Sequence, residues 1–433
     1  MVDPRVITDE EDLARVAARL EGIPRIAVDL ESNGMFAYRA VACIVQIAAG
    51  DEVFLVDALA TRLGPLASLL ASPVTEKLVH DVSFDARILA ESGVRLANVR
   101  DTSIAARMLG RTATGLASLL SSELGVSIDK KMQHHDWSMR PLDRAALTYL
   151  AGDVVHLGGL ADRLFGEVRE RGIAEEVEEE TRYRLGQAIA AADTEDPRPP
   201  YVRLKGIERA PVRDLPILRH LAEARERHAR DLGVPPYKVL TPDVLFAIAA
   251  AKPEDEAALS RIRGAMGGRR ARALASDVLD SVLCGLEDET IPPEDRRWFD
   301  KPRIPGAIIR ARRSREQRLT RWRKEEAKKR GVDEQVILPG HCLQDLADVT
   351  EPSLDTIAKV PGLGAFRVVR YGDALVRVLA DELELPFPAP PSSDALPEST
   401  DADSNEGDRA TMPSAHVASD PTAAPSDDEE SQA

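Results

Sequence analysis

The sequence has few aromatic residues, few cysteines and no long apolar run. Trp, Tyr and Phe make up 4% of the 433 residues, so aliphatic side chains must build the hydrophobic cores. Cys43, Cys284 and Cys342 are too widely spaced for a disulfide framework or a zinc site. No apolar stretch approaches the roughly 18 residues that cross a bilayer, and the most apolar window, 41–50, has the length of a strand and contains Gln46. The N-terminal residues lack a signal-peptide pattern, so we expect a cytoplasmic protein without membrane contact.

The negative charge of the chain is concentrated at its C-terminal end. The net charge is −16, but residues 387–433 hold 11 Asp and Glu against one basic residue, Arg409. This segment is rich in Pro, Ser and Ala and poor in large apolar residues, which predicts a disordered acidic tail. Residues 301–330 contain 13 Lys and Arg against three Glu, and residues 261–272 contain five Arg and no acid. Such basic runs are typical of solvated helix faces or of nucleic-acid-binding surfaces.

The length and the apolar pattern predict several domains. A chain of this length usually holds about two to four domains. The first part alternates short apolar runs with helical patterns, which indicates a mixed α/β domain. The strands are predicted at 26–30, 43–48, 53–56 and 77–80, and the helices at 63–70, 84–91, 101–109, 116–124 and 143–170.

An internal repeat follows the α/β region. Residues 225–249 align without gaps with residues 323–347 at an offset of 98, and Arg225 matches Arg323. The match continues between 259–272 and 354–367 at an offset of 95. Two all-helical modules of about 75 residues are therefore expected. The predicted boundaries are 1–175 for the α/β domain, 176–209 for a helical and linker segment, 210–288 for the first module, 289–311 for a linker, 312–385 for the second module and 386–433 for the acidic tail.

Three short motifs in the α/β domain carry acidic side chains. An apolar strand ends in Asp29 and Glu31, which a pleated strand projects from the same face. Asp85 opens a later helix, and Tyr149 and Asp153 share one helical face because they are four residues apart. Neighbouring carboxylates repel each other unless a divalent cation such as Mg²⁺ or Mn²⁺ neutralises them. Taken alone, each motif more commonly marks an exposed strand end, a helix N-terminus or core packing.

Together and in this order, the motifs resemble ribonuclease D, in the DEDDy group of 3′-to-5′ exonucleases. The segment 28–31 (VDLE) is similar to the first family motif, D-x-E, and 80–85 (HDVSFD) resembles the second. The third motif, Y-x-x-x-D, matches 149–153, and 136–142 (DWSMRPL) is close to the family's D-W-x-x-R-P-L signature. The two helical repeats resemble HRDC modules. The resemblance covers roughly residues 1–385, although Leu30 and Ser32 replace the Thr and the aromatic residue of many relatives.

The resemblance implies a fold and a reaction. The fold is an α/β RNase H-like exonuclease domain, with a mixed sheet flanked by helices, followed by two all-α HRDC-like domains and the disordered acidic tail. The reaction is phosphodiester hydrolysis with two divalent ions, Mg²⁺ or Mn²⁺, roughly 4 Å apart, releasing 5′-mononucleotides. By the resemblance, Asp29 bridges both ions, Glu31 and Asp153 complete the site of one ion, Asp85 holds the other, and Tyr149 orients the attacking water.

Other residues are expected near the substrate, with open alternatives. Met35 or Phe36 packs against the terminal base or belongs to the core, and His80 orients neighbouring groups or is a satisfied strand-end histidine. The resemblance places Lys130, Gln133, Trp137 and Arg140 near the substrate, although Lys130 and Gln133 are equally compatible with plain loop positions. In the helical modules, Arg269, Arg272 and Arg367 are expected to contact phosphates. The turn at 362–364 either lets backbone amides approach a phosphate or caps a helix.

The expected substrate is RNA with a free 3′ end, such as tRNA precursors and other small structured RNAs, processed by a monomer. Two alternatives remain. One is a DNA-directed exonuclease in repair, and the other is a non-catalytic RNA-binding scaffold. The sequence contains no G-x-x-x-x-G-K-[ST] motif, which favours a stand-alone nuclease over a helicase. A scaffold would be expected to have lost at least one of the four acids, and all four are present.

Overall fold

The computed structural model describes residues 3–128, 131–300 and 304–381 of the chain. The described residues belong to one compact unit. Lys130 and the predicted acidic tail lie outside them. Among the described residues, no helix combines the length and the apolar character that crossing a bilayer requires.

A mixed sheet forms the centre of the N-terminal domain, as predicted. Among the described residues it has six strands in the order β1-β4-β3-β2-β5-β6. The pairs β2–β3 and β3–β4 are antiparallel, and the other pairs are parallel. The strands are β1 Arg5–Ile7, β2 Arg25–Ser32, β3 Ala42–Ala49, β4 Glu52–Asp57, β5 Glu76–Val79 and β6 Val99–Asp101.

Helices cover both faces of this sheet, which therefore separates two hydrophobic cores. Along β2, Ile26, Val28 and Leu30 face one core, whereas Ala27 faces the other. Every residue of β3 is buried. The helices of this domain are α1 Glu10–Leu20, α2 Ala67–Ala71, α3 Val82–Glu91, α4 Thr102–Met108, α5 Leu116–Leu124, α6 Arg144–Val155, α7 Leu157–Glu170 and α8 Ala174–Ala192.

The rest of the described chain is helical and forms two modules, each with its own core. In both modules the repeated arginine donates an equivalent hydrogen bond to a backbone carbonyl. Arg225 Nη1 donates to Leu240 O at 3.3 Å, and Arg323 Nη1 donates to Leu338 O at 3.1 Å. The first module holds α9 Leu215–Asp231, α10 Pro242–Ala251, α11 Glu256–Ser260, α12 Arg269–Ala273 and α13 Ala275–Glu287, and the second holds α14 Gly306–Arg330, α15 Glu334–Ile337, α16 Gly340–Asp348, α17 Leu354–Ala358 and α18 Ala365–Ala380.

The structure differs from the predicted elements where signals are short or absent. The strands β1 and β6 have three residues each, too few for a period-2 pattern, and the sequence reading missed them. It also missed α1, which Asp9 caps by accepting from Asp12 N at 2.8 Å. The helix predicted at 143–170 divides at His156 into α6 and α7. Helix α14 begins at Gly306, inside the predicted linker. Its residues up to 311 are all exposed, and the adjacent Ile308 and Ile309 are the only large apolar side chains among them, so no helical apolar periodicity marks this start.

Candidate active site

The pleat of β2 sets the direction of the first two acids. Because side chains alternate along a strand, Asp29 and Glu31 project to the same side as Ala27. That side is covered by the core to which α6 contributes Leu150 and Val154. The strand thus directs both carboxylates toward α6 rather than toward the opposite core.

Helix α6 supplies the third acid. Asp143 caps this helix by accepting from Ala146 N at 2.8 Å, and four-residue spacing places Tyr149 and Asp153 on the same side. Ligand oxygens of Asp29, Glu31 and Asp153 lie within 4.8 Å of one another. Acids more than 120 positions apart in the chain therefore meet in one cluster, as the motifs predicted.

Asp85 approaches this cluster from α3. It is buried, and burial together with the charges of Asp29 and Glu31 raises its pKa well above the ordinary value. The start of α3 is held by Asp101, whose carboxylate accepts from Val82 N at 2.8 Å. Asp101 also caps α4 by accepting from Ser103 N at 2.8 Å. One buried carboxylate thus fixes the helix that carries Asp85.

Burial raises the pKa of every carboxyl in the cluster, because desolvation disfavours the charged form. The pKa of Asp29 rises to about 7. Burial and the charges of Asp29 and Asp153 raise the pKa of Glu31 to about 9. Burial and the charge of Asp29 raise the pKa of Asp153 to about 8. Burial also raises the pKa of Tyr149 above its usual value, so the phenol stays protonated at neutral pH. Without a cation, the cluster therefore retains protons.

The donor set of the cluster fits a hard divalent cation. It offers only carboxylate oxygens, with no Cys or His, which suits Mg²⁺ or Mn²⁺. Gln46, the register partner of Asp29 on β3, is fully buried, and its amide N and O have no hydrogen-bond partner among the described residues. Orphaned polar atoms are rare in folded proteins. An unpartnered amide beside Asp29 fits a hydrogen bond to a water ligand of a divalent cation.

Trp137 does not offer free surface to a substrate, contrary to the sequence-based expectation, whereas Arg140 is exposed but engages its donor groups within the domain. Trp137 is 1% exposed and stacks on Tyr149 with ring centroids 5.6 Å apart. Its indole N–H lies near Glu31 and lowers the pKa of that carboxyl, which partly offsets the effect of burial. It makes no hydrogen bond of standard geometry to a described residue. Arg140 uses its Nε, Nη1 and Nη2 groups within the domain, among them Nη2 to Asp57 at 2.7 Å. Trp137 therefore supports Tyr149 by stacking, and Arg140 links its own segment to Asp57 at the end of β4.

The other predicted substrate residues of this domain have mixed surroundings. Met35 is 48% exposed and Phe36 is half-buried. The Nδ1 atom of His80 lies 2.9 Å from Thr102 Oγ1, which agrees with the alternative of a satisfied strand-end histidine. Gln133 is exposed in a turn. Lys130 lies outside the described residues.

In the helical modules, the structure separates the predicted arginines into two groups. Arg269 and Arg272 are exposed and remain available to phosphates. Arg367 is 0% exposed and donates to Val336 O at 3.0 Å. It lies 3.4 Å from Glu179 of α8, so its expected phosphate contact is wrong.

The glycine turn at 362–364 is occupied by the chain's own carboxylate. Phe366 N donates to Glu179 Oε1 at 2.7 Å, next to Gly364, which adopts a φ of +80°. A Cβ at Gly364 would collide with the Glu179 carboxyl group. The turn does bind an anion, but this anion is Glu179 and not a nucleic-acid phosphate.

Three supporting residues escaped the sequence reading. Asp101 and Asp57 act through hydrogen bonds that join distant elements, which no local pattern shows. Gln46 had a signal, because an amide within an otherwise apolar buried strand is unusual.

Comparisons with known proteins agree with this geometry. The family described as 3′-5′ exonuclease matches residues 4–169, and the HRDC domain family matches residues 214–282 and 313–379. Ribonuclease D of Gluconacetobacter diazotrophicus is 33% identical over 319 residues, covering 71% of this chain and 78% of the relative. Ribonuclease D of Acidiphilium cryptum is 31% identical over 315 residues, covering 71% and 79%.

Among solved structures, the fold is similar to that of Escherichia coli RNase D, described as an exoribonuclease involved in structured RNA processing. The TM-score is 0.64 at 22% identity, covering 88% of this chain and all of that one. This likeness supports the architecture, and the curated relatives support the family. The chain therefore belongs to the ribonuclease D family of 3′-5′ exoribonucleases.

Proposed function

We propose that the acidic cluster hydrolyses the 3′-terminal phosphodiester bond of RNA with two divalent ions, Mg²⁺ or Mn²⁺. The observation that carries this proposal is the convergence of Asp29, Glu31 and Asp153 within 4.8 Å. Asp29, Glu31 and Asp153 would hold one ion, with Asp29 shared and Asp85 holding the second. When bound, such ions activate water and stabilise the charge that develops on the leaving 3′-oxygen.

The chain's own residues orient the reactants. Because its pKa is raised, Tyr149 is a neutral hydroxyl at physiological pH, so it positions water by hydrogen bonding rather than acting as an anionic base. Trp137 fixes the phenol ring by stacking. Asp153 is buried, which limits competition from bulk water and strengthens electrostatic interactions at the site.

The biological substrates we propose are RNAs with a free 3′ end, chiefly tRNA precursors and other small structured RNAs, trimmed in the cytoplasm by a single copy of the chain. The RNA preference rests on the curated ribonuclease D relatives. The basic segments 261–272 and 306–330 supply positive charge for phosphate contacts.

The direct test offers matched RNA and DNA strands that carry a label at either end. With 3′-labelled RNA, the first labelled product should be a mononucleotide, and 5′-labelled RNA should shorten stepwise. DNA should react more slowly. Asp153→Asn is the matched control and should lose at least about 10³-fold in rate, since a metal ion contributes several kcal/mol to the transition state. Internal cuts, or a variant within about tenfold of the wild type, would contradict the proposal.

The tRNA part of the proposal needs its own substrates. A tRNA precursor and an unstructured RNA with the same 3′ extension should both be shortened at first. Trimming of the precursor should slow near the base-paired acceptor stem, whereas the unstructured RNA should continue to short products. Equal degradation of both would reject tRNA maturation while leaving exonuclease activity intact.

A further inference from the structure

The loop between β2 and β3, residues 33–41, follows the strand that carries Asp29 and Glu31 and contacts the first helical module. Tyr38 makes the connection. Its backbone N donates to Gly233 O at 3.0 Å, and its hydroxyl donates to Glu226 Oε1 at 2.7 Å. Arg230 donates to the same hydroxyl at 3.3 Å, and the Tyr38 ring packs against the core of the module. The module thus holds the segment that directly follows Asp29 and Glu31.

The outer rim of this junction is aromatic and cationic. Tyr237 is 47% exposed, and its hydroxyl donates to Met35 O at 3.1 Å. Lys238 Nζ lies 4.1 Å from the centre of the Phe36 ring. Met35 is 48% exposed. An exposed ring, an exposed thioether and an ammonium group therefore lie at the loop that follows Asp29 and Glu31.

The internal repeat shows that docking alone does not require this chemistry. At the offset of 98, Gln335 and Val336 of the second module match Tyr237 and Lys238. Val336 is 0% exposed and belongs to the core of the exonuclease domain. The equivalent positions therefore contact the exonuclease domain differently. The second module does so by burying Val336, and the first module does so with the exposed ring of Tyr237 and the ammonium group of the half-buried Lys238.

We propose that the β2–β3 loop and the first module form a composite RNA subsite for nucleotides on the 5′ side of the one released. Tyr237 and Met35 offer surface for stacking and apolar contact with bases, and Lys238 contacts a phosphate. Aromatic rings beside a cation are the chemistry that binds single-stranded nucleic acid. Tyr38 is a positioning residue that keeps this subsite in register with the acids. The inference rests on the proposed function, since it takes Asp29 and Glu31 as the reaction centre.

The test measures KM and kcat on 5′-labelled oligoribonucleotides from about two to twelve nucleotides, within the usual reach of a single-strand site. Lys238→Gln and Tyr237→Ala should have their smallest effect on the shortest RNA that reacts, because such an RNA does not reach the subsite. On longer RNA, KM should rise about three- to tenfold with kcat preserved, and Lys238→Gln should reduce the salt slope by roughly one. Lys205→Gln, an exposed lysine with the same charge change, is the control and should resemble the wild type.

Tyr38→Phe tests the connection and keeps the ring. It should raise KM on long RNA less than Tyr237→Ala does, because only the hydroxyl bonds to Glu226 and Arg230 are lost. A ratio of variant KM to wild-type KM that does not depend on RNA length would overturn the subsite. Equal effects of Lys238→Gln and Lys205→Gln would also overturn it. Neither result affects the proposed function, which is tested separately by nucleotide release from the 3′ end and by the Asp153→Asn variant.

Discussion

Two groups of enclosed acidic side chains differ in what surrounds them. The first group lies on α8, where Glu176 and Glu179 face the second module. Glu176 pairs with Arg330 at 2.7 Å, and Glu179 pairs with Arg367 and accepts the N–H of Phe366. Positive charge and a backbone donor compensate this group within the fold.

The second group is the active-site cluster of Asp29, Glu31 and Asp153. In the portions of the chain that the structure describes, no Arg or Lys side chain forms an ion pair with these three carboxylates. Their pKa values rise to about 7, 9 and 8. Enclosed charge is tolerated when it is paired, so the unpaired group is where we propose that a cation binds, and the paired group is a structural contact between α8 and the second module.

The largest expected effect separates the two groups by opposite outcomes. Asp29→Asn should reduce nucleotide release by about 10⁴-fold, since it removes the carboxylate that we propose both ions share. The thermal stability of the metal-free protein should stay equal or rise, because one source of repulsion is gone. Glu179→Gln should do the reverse, lowering the melting temperature with little effect on release from a short RNA. Calorimetry and single-turnover assays on both variants give the comparison, and a destabilised Asp29→Asn protein would undermine it.

The second prediction concerns the contact between α8 and the second module. Arg367→Met leaves Glu179 buried without its guanidinium partner, which should reduce the free energy of unfolding by about 3 kcal/mol. The repeat provides a matched control, because Arg272 occupies the equivalent position and is exposed. Arg272→Met should change stability by less than about 0.5 kcal/mol. Urea unfolding of both variants measures the difference, and equal losses would mean that the buried pair does not anchor the second module.

The third prediction uses pH. The carboxyls of Asp29, Glu31 and Asp153 titrate near 4 when unfolded and at about 7 to 9 when folded without metal. Between these values the folded state binds more protons, so the stability of the metal-free protein should fall as the pH rises from 5 to 9. Added Mg²⁺ should raise the melting temperature more at pH 8 than at pH 6, because it displaces protons. A magnesium effect independent of pH would argue against binding at this cluster.

The sequence predicted the acids of the site better than their supports. Asp29, Glu31, Asp85 and Asp153 stand in short motifs whose spacing is visible in one dimension. Asp101 and Asp57 could not be assigned, because their hydrogen bonds join segments brought together only by the folded sheet. Burial of Arg367 was equally invisible, since nothing local distinguishes it from the exposed Arg272.

The domain order and the α/β character of the first domain followed from apolar periodicity and the repeat, and the mixed sheet followed from the family resemblance. Strands β1 and β6 did not, because three residues carry no pattern and their pairing partners, β4 and β5, lie far away in the chain. The glycine turn at 362–364 shows the same limit. Its chemistry, anion binding, could be predicted, but its ligand, Glu179, is set by packing between domains.

The smallest expected effect tests whether an unpaired amide near the acids contributes to magnesium binding, as we propose for the unpaired acids. Gln46 is buried beside Asp29, and its side-chain amide makes no hydrogen bond to any described residue. Gln46→Leu should leave the metal-free protein equally or slightly more stable, because replacing an unsatisfied amide with an apolar group of similar size removes a desolvation penalty. It should nevertheless weaken magnesium binding by about tenfold, the lower end of what residues behind metal ligands contribute. Titration calorimetry with Mg²⁺ and thermal melts separate the two quantities. A loss of stability with unchanged magnesium affinity would instead give Gln46 a structural role, like that of Glu176 and Glu179 on α8.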